Sequence, residues 1–441
     1  MGSKLLFGAV AAALCLGFSL PASAQTPQPC TAPASWFPHS QTPEPDSAGF
    51  QSTSNCVFHQ WSWQSFLWLT QDVNGKPRFE HFTKDGIETT PGVLDPLIGR
   101  SGKARTLDLI NQAGPDGIMV DLQGHAIYYE IFSDSTFGDF IQKNGLLDPA
   151  KLRAFDANTS FPIDSLTLKA AWKVVTPGED VSSFYTRRAR VAVLTEKDGK
   201  ITVATEMKDG KEVAKTISVP VALVGFHIGG TVNGHPEMIW ATFEHVNNAP
   251  DLPVAADKML PNRTVSNKNW TFYKANTPFK DCNVNSAGAG SLKLDEKNQT
   301  LSPVTEVCRI VPFGGGETGN IDNIKTLNAS VHSQLKDVWN NYFEVGAIWF
   351  AAIDGLKPDC TFQPGSLSCG ISLTGSTQLS NTTIETFTQS QSAQDNCFAC
   401  HNTVQVTSPD TTTPSLPGKN VNISHILINN YFGVSELQPQ K

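Results

Sequence analysis

The sequence has no long uncharged apolar run after residue 25, so nothing in the bulk of the chain reads as a membrane span. It also lacks positive charge: 33 basic residues stand against 41 acidic ones, a formal net charge of −8. Such a surface does not suit nucleic acid or anionic lipid as a partner. No internal repeat is visible along the 441 residues. What remains is the composition of a globular protein rich in turn residues, long enough for more than one domain or one large β-rich domain.

The chain opens with an address. Lys4 gives a basic start, residues 5–20 are apolar, and Ala22-Ser23-Ala24 supplies a small-residue cleavage pattern. We expect a signal peptide over 1–24, a mature chain from about Gln25, and a periplasmic or secreted location. A retained anchor is the rival reading, but the run is short for a bilayer and Pro21 closes it. Cys15 follows Leu14, a poor lipoprotein context, and is expected to leave with the signal.

Eight of the nine cysteines then remain, and an oxidising compartment uses such residues covalently. Cys397 and Cys400 stand apart, for the reason given below. The other six fall into sequence-near pairs, Cys30 with Cys56, Cys282 with Cys308 and Cys360 with Cys369, although six cysteines permit fifteen pairings.

Residues 25–50 are rich in Pro, Ser, Thr and Gln and read as an extended lead segment. Residues 61–69, with Trp61, Trp63, Phe66 and Trp68, are apolar nearly all round and predict a buried helix. Runs at 190–195, 201–206 and 212–219 are divided by Asp198-Gly199 and Asp209-Gly210, which predicts an antiparallel meander. Residues 219–228 and 237–245 flank Asn233-Gly234 as a further hairpin. Residues 264–299 read as loop pinned by Cys282. Residues 331–350 read as a strongly apolar helix. The expected architecture is α+β: a β-rich domain over 25–330, meander- or sandwich-like, joined to a short α-helical part over 331–441.

Within that second part lies Cys397-Phe398-Ala399-Cys400-His401. On one helical turn, two cysteines three apart can each bond a haem vinyl group while the next residue swings its imidazole beneath the iron. The pattern predicts one covalent haem c on Cys397 and Cys400 with His401 as an axial ligand. A redox or disulfide pair is the rival, yet no strand precedes the motif as thioredoxin-like sites require. Zinc fits less well, because adjacent positions cannot surround a tetrahedral ion.

The sixth iron position separates carrier from catalyst. All five methionines precede the motif, whereas His425 follows it in an apolar run over 423–432, so His425 is the first candidate for a second axial ligand, with His227 behind it. Little chain follows His401, and the pocket wall is expected from 331–350, with Trp339, Tyr342, Phe343 and Trp349. Asp395 and Asn396 could cap the turn. His227, His235, Glu237, Glu244 and His245 are metal-competent types, but turn symmetry about Asn233-Gly234 places His227 opposite Trp240 and sends His245 to the other face, so structural roles are expected. Gly314, Gly316 and Gly319 match a dinucleotide spacing, but the Asn-rich stretch that follows is a poor helix, and we read a loop.

Three segments, Trp240-Ala241-Thr242-Phe243-Glu244-His245-Val246-Asn247-Asn248, Asn381-Thr382-Thr383-Ile384-Glu385-Thr386 and 397–402, together resemble a group of bacterial c-type cytochrome family proteins that have a large amino-terminal region and one haem motif near the end. The resemblance implies a haem role for Cys397, Cys400 and His401 and implies no substrate. The expected function is one-electron transfer in the periplasm with a redox partner protein as donor or acceptor. Two alternatives stand beside it: a haem-dependent oxidoreductase, peroxidase- or oxidase-like, with an open iron, and a docking module that delivers electrons to a partner enzyme.

Overall fold

Asp-Gly dipeptides set the hairpins. In this computed structural model, which describes Gly2 and residues 29–433 except 52–53, 85–105, 115–116, 289, 317, 364–365, 368, 390–395 and 411, Asp198 and Gly199 have φ of 53° and 73°, and Asp209 and Gly210 of 52° and 74°. These are the left-handed conformations that a two-residue hairpin loop demands. The strands they join, Leu194–Lys197 with Lys200–Val203 and Thr205–Lys208 with Lys211–Ala214, are two separate hairpins and not the one meander expected, because the pairing changes partner where Val193, Ala204 and Lys215 hydrogen-bond one another in turn. The export signal expected over 1–24 lies outside the described residues.

The two hairpins hang from an eight-stranded sheet. Its strands are β1 (Thr106–Leu107), β2 (Tyr128–Ser133), β3 (Leu166–Val174), β4 (Thr186–Ala192), β5 (Thr216–Val232), β6 (His235–His245), β7 (Tyr342–Phe350) and β8 (Leu373–Gly375). The order along the main path is β8-β7-β6-β5-β3-β2, while β4 pairs with the first part of β5 and with β1. Every pairing is antiparallel except β1 with β4.

Strand alternation divides the molecule into layers. Ile239, Ala241 and Phe243 of β6 and Ala347 and Trp349 of β7 face one core, and Trp240, Ile348 and Phe350 face another. The first face is covered by α1 (Asn55–Thr70) and α4 (Thr318–Gln334). The other carries α2 (Ser135–Asn144), α3 (Pro149–Ala154), α5 (His425–Phe432) and the chain around the Cys397 motif.

Helix α1 is the Trp-rich element and is buried as its pattern predicts: Phe58 stacks on Trp349 at 4.1 Å and Phe66 on Phe243 at 4.3 Å. Between α1, α4 and β7, buried His59 faces Glu344 Oε1 at 2.9 Å and Asn320 Oδ1 at 2.8 Å. Burial opposes its charge, but the Glu344 carboxylate prevails and holds its pKa above the ordinary imidazole value.

Two expectations are corrected. Residues 331–350 are not one helix: α4 ends at Gln334, and Tyr342–Phe350 is the strand β7 between β6 and β8. A central strand covered on both faces is apolar at every position, so it shows no alternation to set it apart from a buried helix. The Asn-rich stretch is helical after all, because α4 finds partners for its buried amides: Asn328 Oδ1 accepts from Trp63 Nε1 at 2.9 Å, and its Nδ2 donates to the Glu344 carbonyl at 2.9 Å. Residue 331, the expected domain boundary, therefore falls inside α4. Of the three spaced glycines, Gly314 and Gly316 do lie in a turn, with φ of 69° and 93°, whereas Gly319 falls inside α4.

The hairpin of β5 and β6 is present with a shifted register. Met238, at φ 71°, sits where the pairing slips, so His227 lies opposite Thr242 and not Trp240. Its side of the sheet is unchanged, because a slip of two residues preserves the face.

Candidate functional site

The Cys397 motif folds as a single tight turn. Cys397–Ala399 is 3-10 helix, and Asn396 caps it by accepting from the Ala399 amide at 3.1 Å; the second proposed cap, Asp395, lies outside the described residues. Phe398 anchors the turn, wholly buried against Phe350 at 4.7 Å. Cys397 and Cys400 are half-buried thiols with no bond to each other, whereas Cys30–Cys56 and Cys360–Cys369 are disulfides as the spacing suggested. Cys282 and Cys308 lie side by side as thiols.

His401 is held between two rings. Trp240 of β6 stacks on it at 4.0 Å and His425 of α5 at 4.1 Å. Its Nδ1 lies 2.9 Å from the Ile423 carbonyl oxygen. A carbonyl only accepts, so Nδ1 carries the proton and the lone pair of the neutral ring sits on Nε2. Burial first, then the neighbouring His425, Lys169 and His227, keep the imidazole well below its ordinary pKa and hence neutral. His425 Nε2 donates to the Cys400 carbonyl at 3.0 Å, and burial lowers this imidazole too. Burial, followed by Glu385 and Cys400, raises the Cys397 thiol well above its usual value.

The platform beneath the motif is the sheet face bearing Trp240, Thr242, Glu244 and His227. Two of the segments singled out in the sequence meet there. Asn381 Nδ2 donates to Thr242 Oγ1 at 2.8 Å and to the Phe243 carbonyl at 3.0 Å. The Thr382 amide donates to Glu244 Oε1 at 2.7 Å and its hydroxyl to Oε2 at 2.5 Å, while Arg309 donates to the same carboxylate at 2.7 Å and pairs with Asp251. The approach is close: a Cβ at Gly225 would come within 2.2 Å of Thr383 Oγ1. Glu385, on the same strap, places Oε2 3.2 Å from His227 Nε2.

The expected wall is largely elsewhere. Trp339, in the 3-10 turn before β7, packs in the α1 core on the far side of the sheet, as do Tyr342 and Trp349 of β7 because a strand sends its side chains to both faces; Phe343, half-buried, is on the motif side. Trp240 and Phe350 take the place of the other three. Sequence reasoning missed Arg309, whose only signal was a lone basic residue beside Cys308, and Lys169, which lies across from His227 in β3.

The remaining metal-competent residues have separate partners. His235 bonds Glu237 Oε1 and the Phe50 carbonyl, and His245 bonds the Ser183 carbonyl and stacks on Phe184 at 3.6 Å. Among the described residues no group of three or more His, Cys, Asp or Glu side chains is placed to hold a metal ion, and no helix is long and apolar enough to cross a membrane. No protein-family model, curated protein or solved structure matches the chain.

The donor set fits a covalent haem, which asks the protein for two free thiols on one turn and one imidazole nitrogen. All three are available. Neither Cys397 nor Cys400 is in a disulfide, and His401 has its second nitrogen tied to a carbonyl, the arrangement that commonly orients a metal-bound histidine.

Proposed function

We propose that this protein is an exported c-type cytochrome with one covalently bound haem, serving one-electron transfer with a redox partner protein in the periplasm. The observation that carries the reading is the motif turn itself: two cysteines outside any disulfide and a neutral histidine whose Nδ1 is anchored to Ile423, leaving Nε2 as the ligating atom. Cys397 and Cys400 would hold the group and His401 would ligate it; when bound, haem supplies a metal that changes oxidation state by one electron.

The chain's own contribution is positional. Trp240 and His425 fix the plane of the His401 ring from both sides, so the ring cannot swing out of line. Glu244 and Asn381 clamp the strap that leads to the motif onto a rigid sheet. Apolar Phe398 and Phe350 keep water from one flank. Immobile surroundings suit a group that must change charge with little rearrangement.

A spectroelectrochemical titration of the exported protein tests the role. One reversible, one-electron step per chain is expected. Absence of any reversible step would remove the carrier function.

A further inference from the structure

We propose that α1 is latched to the central sheet by two protons, one held between His59 and Glu344 and one between His235 and Glu237, so that its docking weakens as the solution turns alkaline. Neither pair depends on haem. A neutral imidazole has one nitrogen that donates and one that accepts. His59 has an acceptor at each: Nδ1 lies 2.9 Å from Glu344 Oε1 and Nε2 2.8 Å from Asn320 Oδ1. The Asn320 amide is oriented by its neighbours, since its Nδ2 donates to Ser376 Oγ at 3.2 Å and its Oδ1 accepts from Asn55 Nδ2 at 3.3 Å. His235 repeats the pattern, with Nδ1 2.8 Å from Glu237 Oε1 and Nε2 3.0 Å from the Phe50 carbonyl oxygen. Both rings therefore carry a proton on each nitrogen. His245 shows the contrast: its Nδ1 accepts from the Asn247 amide at 3.2 Å while Nε2 donates to the Ser183 carbonyl, which asks only for the neutral ring.

The two pairs bracket one aromatic stack. Phe58 of α1 lies flat on Trp349 of β7 at 4.1 Å; the His235 ring meets Phe58 edge-on at 5.0 Å, and the His59 ring meets Trp349 edge-on at 5.6 Å. Through these bonds α1 is joined to β7 by Glu344 and to α4 by Asn320, while Phe50, in the turn before α1, is joined to β6. All four paired side chains are buried. Among the described residues His59 is the donor to the Glu344 carboxylate, and Glu237 Oε1 accepts from the Phe350 amide as well, at 3.0 Å. Loss of either proton leaves a carboxylate charge in the core beside a neutral ring, a costly arrangement. The charged group facing His59 is Glu344; those facing His235 are Glu237 and Asp354, which follows β7. Burial opposes the charge on both rings, and these acidic neighbours outweigh it and hold both above the ordinary imidazole value. The latch is thus complete below about pH 6.5, where the unfolded chain is protonated too. Above that it weakens, because the folded chain keeps protons that the unfolded chain has given up, and it is lost once the pH passes the raised folded-state values.

Imidazole nitrogen NMR of the full protein, labelled at histidine and assigned through His59→Gln and His235→Gln, reads the protons directly. At about pH 7.5, above the ordinary imidazole value, His59 and His235 are each expected to show protons on both nitrogens while His245 shows one. Glu344→Gln keeps the shape of the partner and removes its charge, so His59 is expected to drop to one nitrogen proton at the same pH. Urea titrations upward from about pH 7 read the consequence: the wild-type folding constant is expected to fall roughly tenfold more per pH unit than that of Glu344→Gln, the loss due to one proton. Should Glu344→Gln fail to fold, the wild-type spectra decide alone. A single nitrogen proton on His59 or on His235 at that pH overturns the latch, and so does an equal pH dependence in the wild type and Glu344→Gln.

Discussion

Glu244 illustrates how much one side chain can decide. It is fully buried, yet its two oxygens receive the Thr382 amide, the Thr382 hydroxyl and the Arg309 guanidinium. Removing it leaves the buried Arg309 with only the half-exposed Asp251 as a carboxylate partner and unties the strap in one step. Glu244→Ala should therefore cost about 3 to 5 kcal/mol in chemical denaturation, the range for breaking a buried ion pair from one side; Thr382→Ala should cost about 1 kcal/mol. Equal, small losses in both would mean that the clamp is not what holds the strap. His245 gives a pH signature. Burial against Phe184 pushes its pKa down to about 4, whereas the unfolded chain takes up that proton near 6.5. The unfolded state binds more protons between those values, so stability rises with pH across that interval and is lost as the pH falls through it. Urea titrations from pH 7 down to 4 should show a steeper loss for the wild type than for His245→Gln, by roughly 3 kcal/mol at the acid end. His401 and His425 act in the same direction, which is why the difference between the two proteins is the quantity to measure.

At the scale of elements, what was legible followed from local chemistry. The two hairpins were readable because Asp-Gly pairs specify two-residue turns, although their splitting into separate ribbons was not, and α1 was readable because its tryptophans and phenylalanines surround a helix on every side. The motif turn was readable from its spacing alone. The α4 and β7 region was not, because β7 is buried on both faces and carries no period of two, while α4 depends on amide partners in α1 and β7 that lie far away in sequence. The clamp between Glu244 and Thr382 spans 138 positions and could be seen only as two separate segments. Cys282 and Cys308 belong to this scale as well. They are brought together by the Asn283 side chain, which donates to the Cys308 carbonyl at 3.0 Å and accepts from its amide at 3.2 Å. In an oxidising compartment the adjacent thiols should close by exchange with a disulfide oxidant, each bond formed releasing two thiols on that oxidant. Alkylation of the denatured, unreduced protein should then label neither residue. Labelling of both would show that the pair stays reduced.

For the whole molecule, the arrangement is one mixed sheet that separates two layers, with an aromatic and amide-rich helical core on one side and the motif-bearing chain on the other. The large amino-terminal region is thus the platform of the candidate site, since β5 and β6 supply Trp240, His227 and the clamp. Everything proposed for this platform depends on Cys397 and Cys400 carrying haem. Intact mass and denaturing extraction of the protein, exported from cells that mature c-type haems, address it most directly. One haem per chain is expected to stay with the denatured polypeptide and to be lost in the Cys397→Ala, Cys400→Ala double variant. A haem-free chain with Cys397 and Cys400 recovered as free thiols, or joined to each other, would contradict it.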